Sequence, residues 1–483
     1  MKILMATSEF SPFANTGQLG NEVQILASEL KKLGHDVSVA MPFYRSIRES
    51  NYDVKLTGIE FKVGLGGKRT SAEVLETTGS DQVQVFLIQR DEYFDRSGIY
   101  GTDGRAYEDN SERFIFFAKA VIELARRLPS VPELIHSHDW PAALIPVFVR
   151  DCELPFRTVL TAHNLEYQGS FWSFDFVLTG LRSSYFGPKG VEFYGCLNFL
   201  KGGILFADAI TLPGEPALFQ ALSLRHGFGL DGVLVENRNR TFGISHGIDY
   251  STLTPPYKKL ETKRPKVEYS DGNQTSRLAL LERLGLSKEI RGPVFVLPIE
   301  PGDDEAFEQV SPIFDLLLVD DTCLIVTGQI PESGIGAMIV EERKYPTQFA
   351  FLRNGNAKLA PLALSASDLV LLPSSLGFRS TTVLTALRYG TLPIVRDRGG
   401  IRQLVSDFDP VTETGSGFVY IGSTTGALWD SVRRAKHYYA QPKIWAKLVD
   451  QAKILDFSRA ESTKAFAKLY SSLLRHREAT HTL

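Results

Sequence analysis

The chain contains 483 residues, of which 43% are hydrophobic and 23% are charged, and its formal net charge is -3 at pH 7. This length exceeds what one hydrophobic core usually serves, so we expect two large domains or about three ordinary ones, and the composition excludes a disordered, collagen-like or coiled-coil chain. Because 53 basic residues are balanced by 56 acidic ones, no overall positive field exists to attract nucleic acid or an anionic membrane surface.

Neither a membrane segment nor a secretory leader is indicated. No window approaches the roughly 18 uninterrupted apolar residues of a spanning helix, and the opening run of residues 1–10 is more typical of a first β-strand than of a signal sequence. The three cysteines, Cys152, Cys196 and Cys323, show no metal-ligand spacing, so we expect buried thiols in a reducing compartment. The sequence therefore predicts a cytoplasmic protein.

Short β-rich runs alternate with helical patterns from the first residue onward. Residues 1–7 and 35–41 are predicted strands that flank a helix over residues 22–33, and Gly34 is placed where it would cap the end of that helix. This βαβ unit predicts a parallel sheet. The alternation continues with a helix at 113–127, strands at 134–138 and 158–163, and a helix end running into a strand at 204–212.

The composition of the sequence changes between residues 255 and 274, where prolines and mixed charges replace apolar periodicity. We interpret this stretch as a crossing between domains. Beyond it the alternation resumes, which predicts an α/β fold made of two Rossmann-like halves joined by a hinge. The predicted strands of the second half are 294–297, 323–327, 369–372 and 393–395, and its predicted helices are 277–284 and 382–389.

Three short polar motifs follow predicted strands of the first half. The turn at residues 15–21 is Gly-rich and opens the first helix, so it is either an anion site at the helix N-terminus or merely a tight connection. Two histidine motifs, at 136–140 and 161–164, lie where parallel strands end and ligands collect. No cysteine or carboxylate stands at ligand spacing from these histidines, so we predict no metal site; hydrogen-bonded structural histidines are the alternative to a ligand-binding role.

The order and spacing of these motifs resemble those of the bacterial glycogen synthase and plant starch synthase family over nearly the whole chain. The similarity is carried by residues 1–4, 8–9, 12–13, 16–17, 19–20, 136–140, 161–164, 167–169, 198–201, 229–234, 247–250, 372–374, 386–396 and 399–400. Members of this family are retaining glucosyltransferases that use ADP-glucose. The resemblance implies the GT-B fold, an α/β fold in which two Rossmann-like domains face each other across an inter-domain cleft.

The resemblance also implies where the domains begin and end. An N-terminal Rossmann-like domain, similar to the starch synthase catalytic domain, is expected over residues 1–250. A C-terminal Rossmann-like glycosyltransferase domain is expected over residues 251–459, and the last helix, 460–483, is expected to pack back on the N-terminal domain.

The catalytic positions that the family uses in its second domain are substituted here. Family members hold the donor diphosphate with an Arg and a Lys of the pattern S-R-L-x-x-Q-K-G, and in a gapless alignment these positions carry Glu300 and Glu305. A like charge about 4 Å from the diphosphate, at an effective dielectric constant near ~20, would repel it by about 4 kcal/mol. The family's Glu beside the donor sugar falls on Gly377, which removes a carboxylate that would stabilise transition-state charge.

The first half mixes substituted and retained positions. The Lys, Gly and Asp of the family's K-T-G-G-L-G-D loop become Asn15, Gln18 and Asn21, and the Asn of its N-G-I-D becomes His246. His163 matches a family His that contacts the donor glucose, and a purely structural role at the strand end is the alternative. The other residues that the resemblance assigns to substrate binding are Thr16, Gly17, Asp139, Asn164, Tyr167, Gln168, Asn198, Lys201, Gly399 and Gly400.

Three functional hypotheses follow. The first is a glycogen or starch synthase-like protein with lost or strongly impaired glucosyl transfer, which needs no cofactor and binds α-glucan (glycogen or starch) or an active synthase paralogue. The second is an active ADP-glucose-dependent α-1,4-glucan synthase in which Arg379, Arg396 or Arg398 supplies a relocated donor site. The third is a structural partner without glucan contact. ADP-glucose is expected as a ligand only if the donor site survives, and a cation held by Asp303 and Asp304 would be one way to offset the acidic positions.

Overall fold

The structure, a computed structural model, describes residues 1–250, 272–299, 304–319, 321–330, 332–352, 359–373, 380–398 and 400–481. The chain divides into two compact units, Met1–His246 together with Arg459–Leu483, and Gly247–Ser458. Both units are α/β structures with a mainly parallel sheet. In the described part of the chain, no helix is long and apolar enough to cross a membrane.

The first unit is built on a large sheet with two small sheets beside it. Its strands are β1 (Lys2–Ala6), β2 (Asp36–Pro42), β3 (Lys55–Leu65), β4 (Lys68–Thr78), β5 (Gln84–Gln89), β6 (Gly101–Thr102), β7 (Arg105–Ala106), β8 (Leu134–His138), β9 (Arg157–Thr161), β10 (Ser170–Phe171), β11 (Glu192–Phe193), β12 (Cys196–Asn198), β13 (Ala209–Leu212) and β14 (Thr241–Gly243). The large sheet has the order β14-β13-β9-β8-β1-β2-β5-β4-β3, in which β3 and β4 are antiparallel. The small sheets are β10-β12-β11 and β6-β7.

Helices cover this sheet because its central strands are apolar on both faces. Residues 3–6 of β1 are all buried, as expected for a parallel strand enclosed between helices. The predicted βαβ unit is confirmed, since β1, the first helix and β2 follow one another and Gly34 ends the helix with φ at +84°. The helices are α1 (Leu19–Lys32), α2 (Arg45–Arg48), α3 (Asp91–Phe94), α4 (Asn110–Ala125), α5 (Asp139–Ala142), α6 (Ile145–Asp151), α7 (Phe176–Thr179), α8 (Phe199–Phe206), α9 (Glu215–Ala221) and α10 (Asp231–Glu236).

The described part of the second unit contains a fully parallel sheet in the order β17-β16-β15-β18-β19-β20. Its elements are α11 (Gly272–Arg283), β15 (Val294–Ile299), α12 (Asp304–Val310), α13 (Phe314–Leu317), β16 (Cys323–Gly328), α14 (Glu332–Lys344), β17 (Phe349–Leu352), α15 (Ala360–Ala366), β18 (Leu369–Leu372), α16 (Ser380–Tyr389), β19 (Leu392–Arg396), β20 (Phe418–Tyr420), α17 (Thr425–Tyr439) and α18 (Pro442–Ile454). The predicted strands and helices of this half are therefore confirmed, whereas β17 and β20 were not predicted.

The last helix, α19 (Arg459–His481), packs on the first unit. Phe466 and Tyr470 are buried in that unit's core, and the Tyr470 hydroxyl lies 2.8 Å from Nδ1 of His136 on β8. The helix therefore contributes both apolar and polar contacts beneath the carboxyl edge of the sheet. Of the predicted inter-domain crossing, residues 255–271 lie outside the described residues.

The expectation that all three thiols are buried is wrong for two of them. Cys152 is exposed, Cys196 is partly exposed and Cys323 is buried, and none of the three forms a disulfide. Cys152 is exposed because it directly follows α6, where the chain turns at the surface. Cys323 opens β16 inside the sheet, and burial raises the pKa of its thiol to about 12.

Candidate functional site

The two histidine motifs meet at the carboxyl edge of the first unit's sheet. β8 and β9 are parallel neighbours, with His138 opposite Thr161 at their ends. The next residues of each chain segment therefore lie side by side. The carboxylate oxygen Oδ1 of Asp139 accepts a hydrogen bond from the His163 backbone N–H at 2.7 Å, and Asp139 itself has φ at +56°, an uncommon conformation for a residue other than glycine.

Four histidines form a continuous row at this edge, which we call the histidine row: His136, His138, His163 and His246. The His163 and His246 rings are stacked, 5.0 Å apart and 5° from parallel. Nε2 of His163 lies 3.1 Å from Nδ1 of His138, and the His138 and His136 ring centroids are 4.1 Å apart. One face of the His163 ring and one of its nitrogens are thus occupied within the protein.

Burial keeps the histidine row neutral. It lowers the pKa of His136 to about 3 and the pKa of His138 and His163 well below the ordinary value, with a smaller contribution from the neighbouring rings. The pKa of His246 is also lowered by burial, against the opposing charge of Glu22, whose carboxylate is 3.5 Å from Nδ1. A neutral imidazole has one N–H donor and one acceptor nitrogen. One of the two rings can therefore donate a hydrogen bond to the other, as the contact between His138 and His163 requires.

Two imidazole nitrogens in the row are buried and have no hydrogen-bond partner among the described residues. They are Nε2 of His138 and Nε2 of His246. By contrast, both nitrogens of His136 are satisfied, one by Thr161 at 2.7 Å and the other by Tyr470. A purely structural role therefore accounts for His136. His138 and His246 each have one polar atom left that a ligand or a water molecule could satisfy.

The Asp139 carboxyl has an unusual protonation equilibrium. Burial raises the pKa of Asp139 to about 7, although the backbone N–H groups of His163 and Asn164 oppose this shift. A carboxyl with a pKa near neutrality exists in both forms at physiological pH, so it can either accept or donate a hydrogen bond. A sugar hydroxyl is a partner for either form.

The turn after β1 is anchored by a buried glutamate. Glu9 is only 3% exposed, and its carboxylate accepts hydrogen bonds from the Thr16 backbone N–H at 2.6 Å, the Thr16 hydroxyl at 2.9 Å and the Tyr100 hydroxyl at 2.7 Å. Gly20 is required for close packing, because a Cβ there would lie 2.6 Å from the Ala14 carbonyl oxygen. The predicted binding residues of this turn, Asn15, Thr16, Gly17, Gln18 and Asn21, are all exposed.

Asn198, Gln168 and Lys201 form a separate internal network. Asn198 caps α8 by accepting from the Lys201 backbone N–H, and its amide donates to the Gln168 side chain, both at 2.8 Å. The Lys201 ammonium donates to the backbone carbonyls of Pro188 and Glu192, and burial lowers its pKa. This lysine is 4% exposed, so its charge stabilises a loop and is not presented to solvent.

Two further predicted residues of the first unit are Asn164, whose backbone N–H also bonds to the Asp139 carboxyl, and Tyr167. The Asn164 side chain accepts from the Glu166 backbone N–H at 2.9 Å, and Tyr167 is 63% exposed. The structure therefore brings together Asp139, His163 and His246, while Asn164 and Tyr167 lie along the loop that follows β9.

In the second unit, Glu305, which a gapless alignment places at the family's Lys position, is paired with an arginine. Glu305 lies in the first turn of α12, and its Oε1 accepts from Arg396 at 2.8 Å and from Gln309 at 3.0 Å. Arg396 ends β19, and its side chain is 13% exposed. The Tyr420 hydroxyl completes the group, 3.3 Å from the Gln309 amide oxygen. A guanidinium that could serve as a relocated donor site is thus neutralised by Glu305.

Several predicted positions of this unit cannot be placed. Glu300, Gly377 and Gly399 lie outside the described residues, as do the alternative residues Asp303 and Arg379. Arg398 is exposed. Gly400 has φ at +75° and precedes a short 3-10 turn over Ile401–Gln403, a backbone geometry that favours glycine. Within the described ranges, no group of three or more His, Cys, Asp or Glu side chains is arranged to hold a metal ion.

Sequence reasoning missed the residues that hold these sites together. Glu9 and Tyr100 are far apart in sequence, so their contact has no local signal, although Ser8-Glu9 belongs to the family pattern. The stacking of His246 on His163 depends on the position of the chain after β14, which periodicity does not predict. The pairing of Glu305 with Arg396 joins α12 to a strand separated from β15 by β18.

Comparison with known proteins identifies the family of this chain. Residues 2–236 match the starch synthase catalytic domain family. The glycogen synthase of Syntrophotalea carbinolica and glycogen synthase 2 of Geobacter sulfurreducens are each 32% identical to this chain over 476 residues, covering 97% of it and 98% of the relative.

Solved structures show the same fold. The catalytic domain of starch synthase IV from Arabidopsis thaliana, solved with ADP and acarbose, is 24% identical, with a TM-score of 0.72 over 98% of this chain and 99% of that one. A sucrose-phosphate synthase from Thermosynechococcus elongatus has a TM-score of 0.53 at 14% identity, over 98% and 99% of the two chains. These similarities confirm the predicted GT-B class with its two Rossmann-like units. The chain therefore belongs to the glycogen synthase and starch synthase family of glycosyltransferases.

Proposed function

We propose that this family member binds α-glucan and that its transfer of glucose from ADP-glucose is lost or strongly impaired. The observation that carries the proposal is the ion pair between Glu305 and Arg396, 2.8 Å apart in the second unit. At the position where the family resemblance expects a diphosphate-binding lysine, this chain has a carboxylate that already satisfies the nearby guanidinium.

The charge balance explains why such an arrangement disfavours the donor. A diphosphate that approached Arg396 would have to compete with Glu305 for the same guanidinium and would meet the repulsion of the carboxylate. Arg396 and Glu305 are mostly removed from solvent, with 13% and 28% of their side chains exposed, so water screens this repulsion only in part. Glu300, by sequence alone, adds a second negative charge to the same loop.

The glucan part of the proposal is supported by the first unit and by the relatives. Asp139, His163 and His246 lie partly exposed at the carboxyl edge of its sheet, and the neighbouring turn exposes neutral polar residues in place of the family's charged ones. The relatives that cover nearly the whole chain are named glycogen synthases. A starch synthase of the same fold was solved with acarbose. An active synthase paralogue as a partner, and a cytoplasmic location, remain predictions from the sequence.

An active α-1,4-glucan synthase is the second candidate function. It is favoured by the names of the relatives and by the contact between Asp139 and His163, which joins two positions that the resemblance assigns to substrate binding. For this function the pair of Glu305 and Arg396 would have to open, with the arginine released to the donor diphosphate.

A transfer assay with labelled ADP-glucose and glycogen, run beside retention of the protein by glycogen, separates the two. We expect retention of the wild-type chain without elongation of the glucan. The triple variant Glu300→Arg, Glu305→Lys, Gly377→Glu restores the family residues and is expected to gain transfer. Elongation by the wild-type chain at the rate of an active synthase would contradict impaired transfer, and absence of retention would contradict glucan binding.

A further inference from the structure

Four exposed aromatic side chains lie around the small sheet β10-β12-β11 of the first unit. Trp172 is 67% exposed, Phe174 68%, Tyr194 84% and Phe228 48%. We call these four residues the aromatic surface. Single exposed apolar residues are ordinary, but large rings gathered on one part of a protein are a common mark of a binding site.

Strand pairing brings two of these rings to one end of the sheet. Phe171 of β10 is opposite Leu197 of β12, and Phe193 of β11 is opposite Cys196. Trp172 therefore leaves β10 at the end where the turn between β11 and β12 carries Tyr194. The 3-10 turn Ser173–Asp175 contacts β12, and it holds the Phe174 ring against Trp172, with centroids 4.5 Å apart.

A neighbouring loop joins the same end. The Phe193 and Tyr194 ring centroids are 4.6 Å apart, and Gly229 approaches both rings closely, because a Cβ on this glycine would lie 3.5 Å from Phe193 and 3.7 Å from Tyr194. Gln168 donates a hydrogen bond to the Phe228 carbonyl at 2.9 Å. The loop that carries Phe228 and Gly229 is thus held next to Phe193 and Tyr194.

Two of the four aromatic residues occupy strained backbone positions. Tyr194 has φ at +48° and Phe228 at +50°, the left-handed region in which bulky residues are rare. Tyr194 and Gly195, with φ at +80°, form a tight turn with two positive φ angles, where Asn followed by Gly is the favoured pair. Because both rings are largely exposed, core packing does not explain why aromatic residues stand at these positions.

The aromatic surface rests on a rigid base. Phe171 packs between Trp140 and Phe199, at centroid distances of 5.7 Å and 4.9 Å. Gly169 is pressed against the indole, since a Cβ there would lie 2.5 Å from Trp140. The exposed rings are therefore held in place before any ligand arrives, which lowers the entropy lost on binding.

The chemistry of the surface fits a neutral polymer of sugars. Residues 167–174, which include Trp172 and Phe174 of this surface, contain no charged side chain. Aromatic faces stack on the apolar C–H faces of glucose, and small polar side chains meet its hydroxyls. A nucleic acid or an acidic peptide would require cations that this stretch lacks.

We propose that the aromatic surface is an α-glucan binding site of its own, in addition to the edge that carries Asp139 and the histidine row. The inference rests on the proposed glucan binding and names where part of it takes place. A linear glucan is long enough to make several stacking contacts. Rings at separate positions along one end of the sheet can therefore stack on sugars of the same glucan chain.

Affinity electrophoresis in gels containing amylopectin, with maltoheptaose titration, tests the site on the full chain. The variants are Trp172→Ala, Tyr194→Asn and the double variant, and the matched control is Phe219→Ala, a ring that is 58% exposed on α9. Helix α9 contacts β13 and β14, away from the small sheet. We expect the double variant to lose about tenfold or more in affinity, while the control does not change.

The Tyr194→Asn variant guards against an unfolding artefact. Asn suits the left-handed turn position better than Tyr, so its melting temperature should equal or exceed that of the wild-type chain while glucan affinity falls. Equal retention of wild-type and double variant would overturn the aromatic site and leave the proposed function standing. A wild-type chain that glucan does not retain would overturn both, and a change of sedimentation in place of retention would assign the surface to self-association.

Discussion

The two units differ in how they treat the positions that the family devotes to its substrates. In the first unit, most residues that the resemblance assigns to substrate binding keep the family's identity, and two of them are tied into internal networks, His163 to His138 and Asp139, and Lys201 to two backbone carbonyls. In the second unit, a gapless alignment places Glu305 at the family's lysine position, and Glu305 is paired with Arg396. Retention of a residue and retention of its catalytic role are therefore separate questions.

The difference between the two units has a physical explanation. A residue that also holds the fold is costly to replace, because its loss leaves buried partners unsatisfied. A residue whose main partner is a ligand carries no such cost, so its charge can be reversed if a neighbour compensates.

Acidification should affect stability most. The folded pKa values of His136, His138 and His163 lie below the unfolded value, so the stability they contribute is present above pH 6.5 and is lost as the pH falls towards the folded pKa, about 3 for His136. Asp139, with its pKa raised to about 7, acts in the opposite direction.

The pKa of all four histidines of the row is lowered and that of Asp139 is raised, so unfolding takes up protons on balance below pH 6.5, and each proton taken up lowers the free energy of unfolding by about 1.4 kcal/mol per pH unit. Calorimetric melting between pH 7 and pH 5 measures this slope. A first-unit transition that does not move over this range would contradict the neutral, buried histidine row.

Glu305→Lys should both weaken the folded second unit and open it to anions. The variant places an ammonium beside the Arg396 guanidinium, which we expect to cost about 2 kcal/mol in the absence of ligand, because a partly buried pair is replaced by repulsion. ADP should then raise the melting temperature of the variant and not that of the wild-type chain. Glu308→Lys, on the exposed side of the same helix, is the matched control and should show neither effect.

Lys201→Met should destabilise the first unit by about 1–2 kcal/mol, because the carbonyls of Pro188 and Glu192 lose their donor in a buried loop. The exposed Lys189 lies beside this loop, and Lys189→Met is expected to change stability little. Urea unfolding of both variants measures the difference. Equal stability of the two variants would contradict a stabilising role of the Lys201 ammonium in the fold.

His246→Asn, which restores the family residue, should have the smallest effect on stability, below about 1 kcal/mol, since it removes one ring stack. It should uncover one face of His163. The exposed His437 of α17 offers a control, His437→Asn. Proton NMR of the remaining histidines would show the pKa of His163 moving towards its ordinary value in the first variant only.

The sequence predicted the architecture because the signals for it are local. Buried parallel strands such as β1 and β15 are continuous apolar runs, and Gly34 marks a helix end that φ at +84° requires. The edge strand β17 and the short β20 were missed because each has only a few residues and no flanking pattern of its own. The strands β3, β4 and β5 of the first unit were not predicted either.

The site was predicted less completely, because its contacts join distant segments. Alternation and turn residues could place Asp139 and His163 at neighbouring strand ends, but not the Tyr470 hydroxyl that α19 supplies to His136 from 334 residues away. Likewise, the acidic residue at 305 was visible in the sequence, whereas its pairing with Arg396 depends on the order of β15, β18 and β19 in the sheet.

The most direct test of the central claim is a calorimetric titration of the purified full chain with ADP-glucose, run beside ADP. We expect no heat of binding at millimolar ligand, because Glu305 occupies the guanidinium of Arg396 and repels the diphosphate. Micromolar binding of either ligand would contradict it, and would show that the ion pair opens to admit the donor.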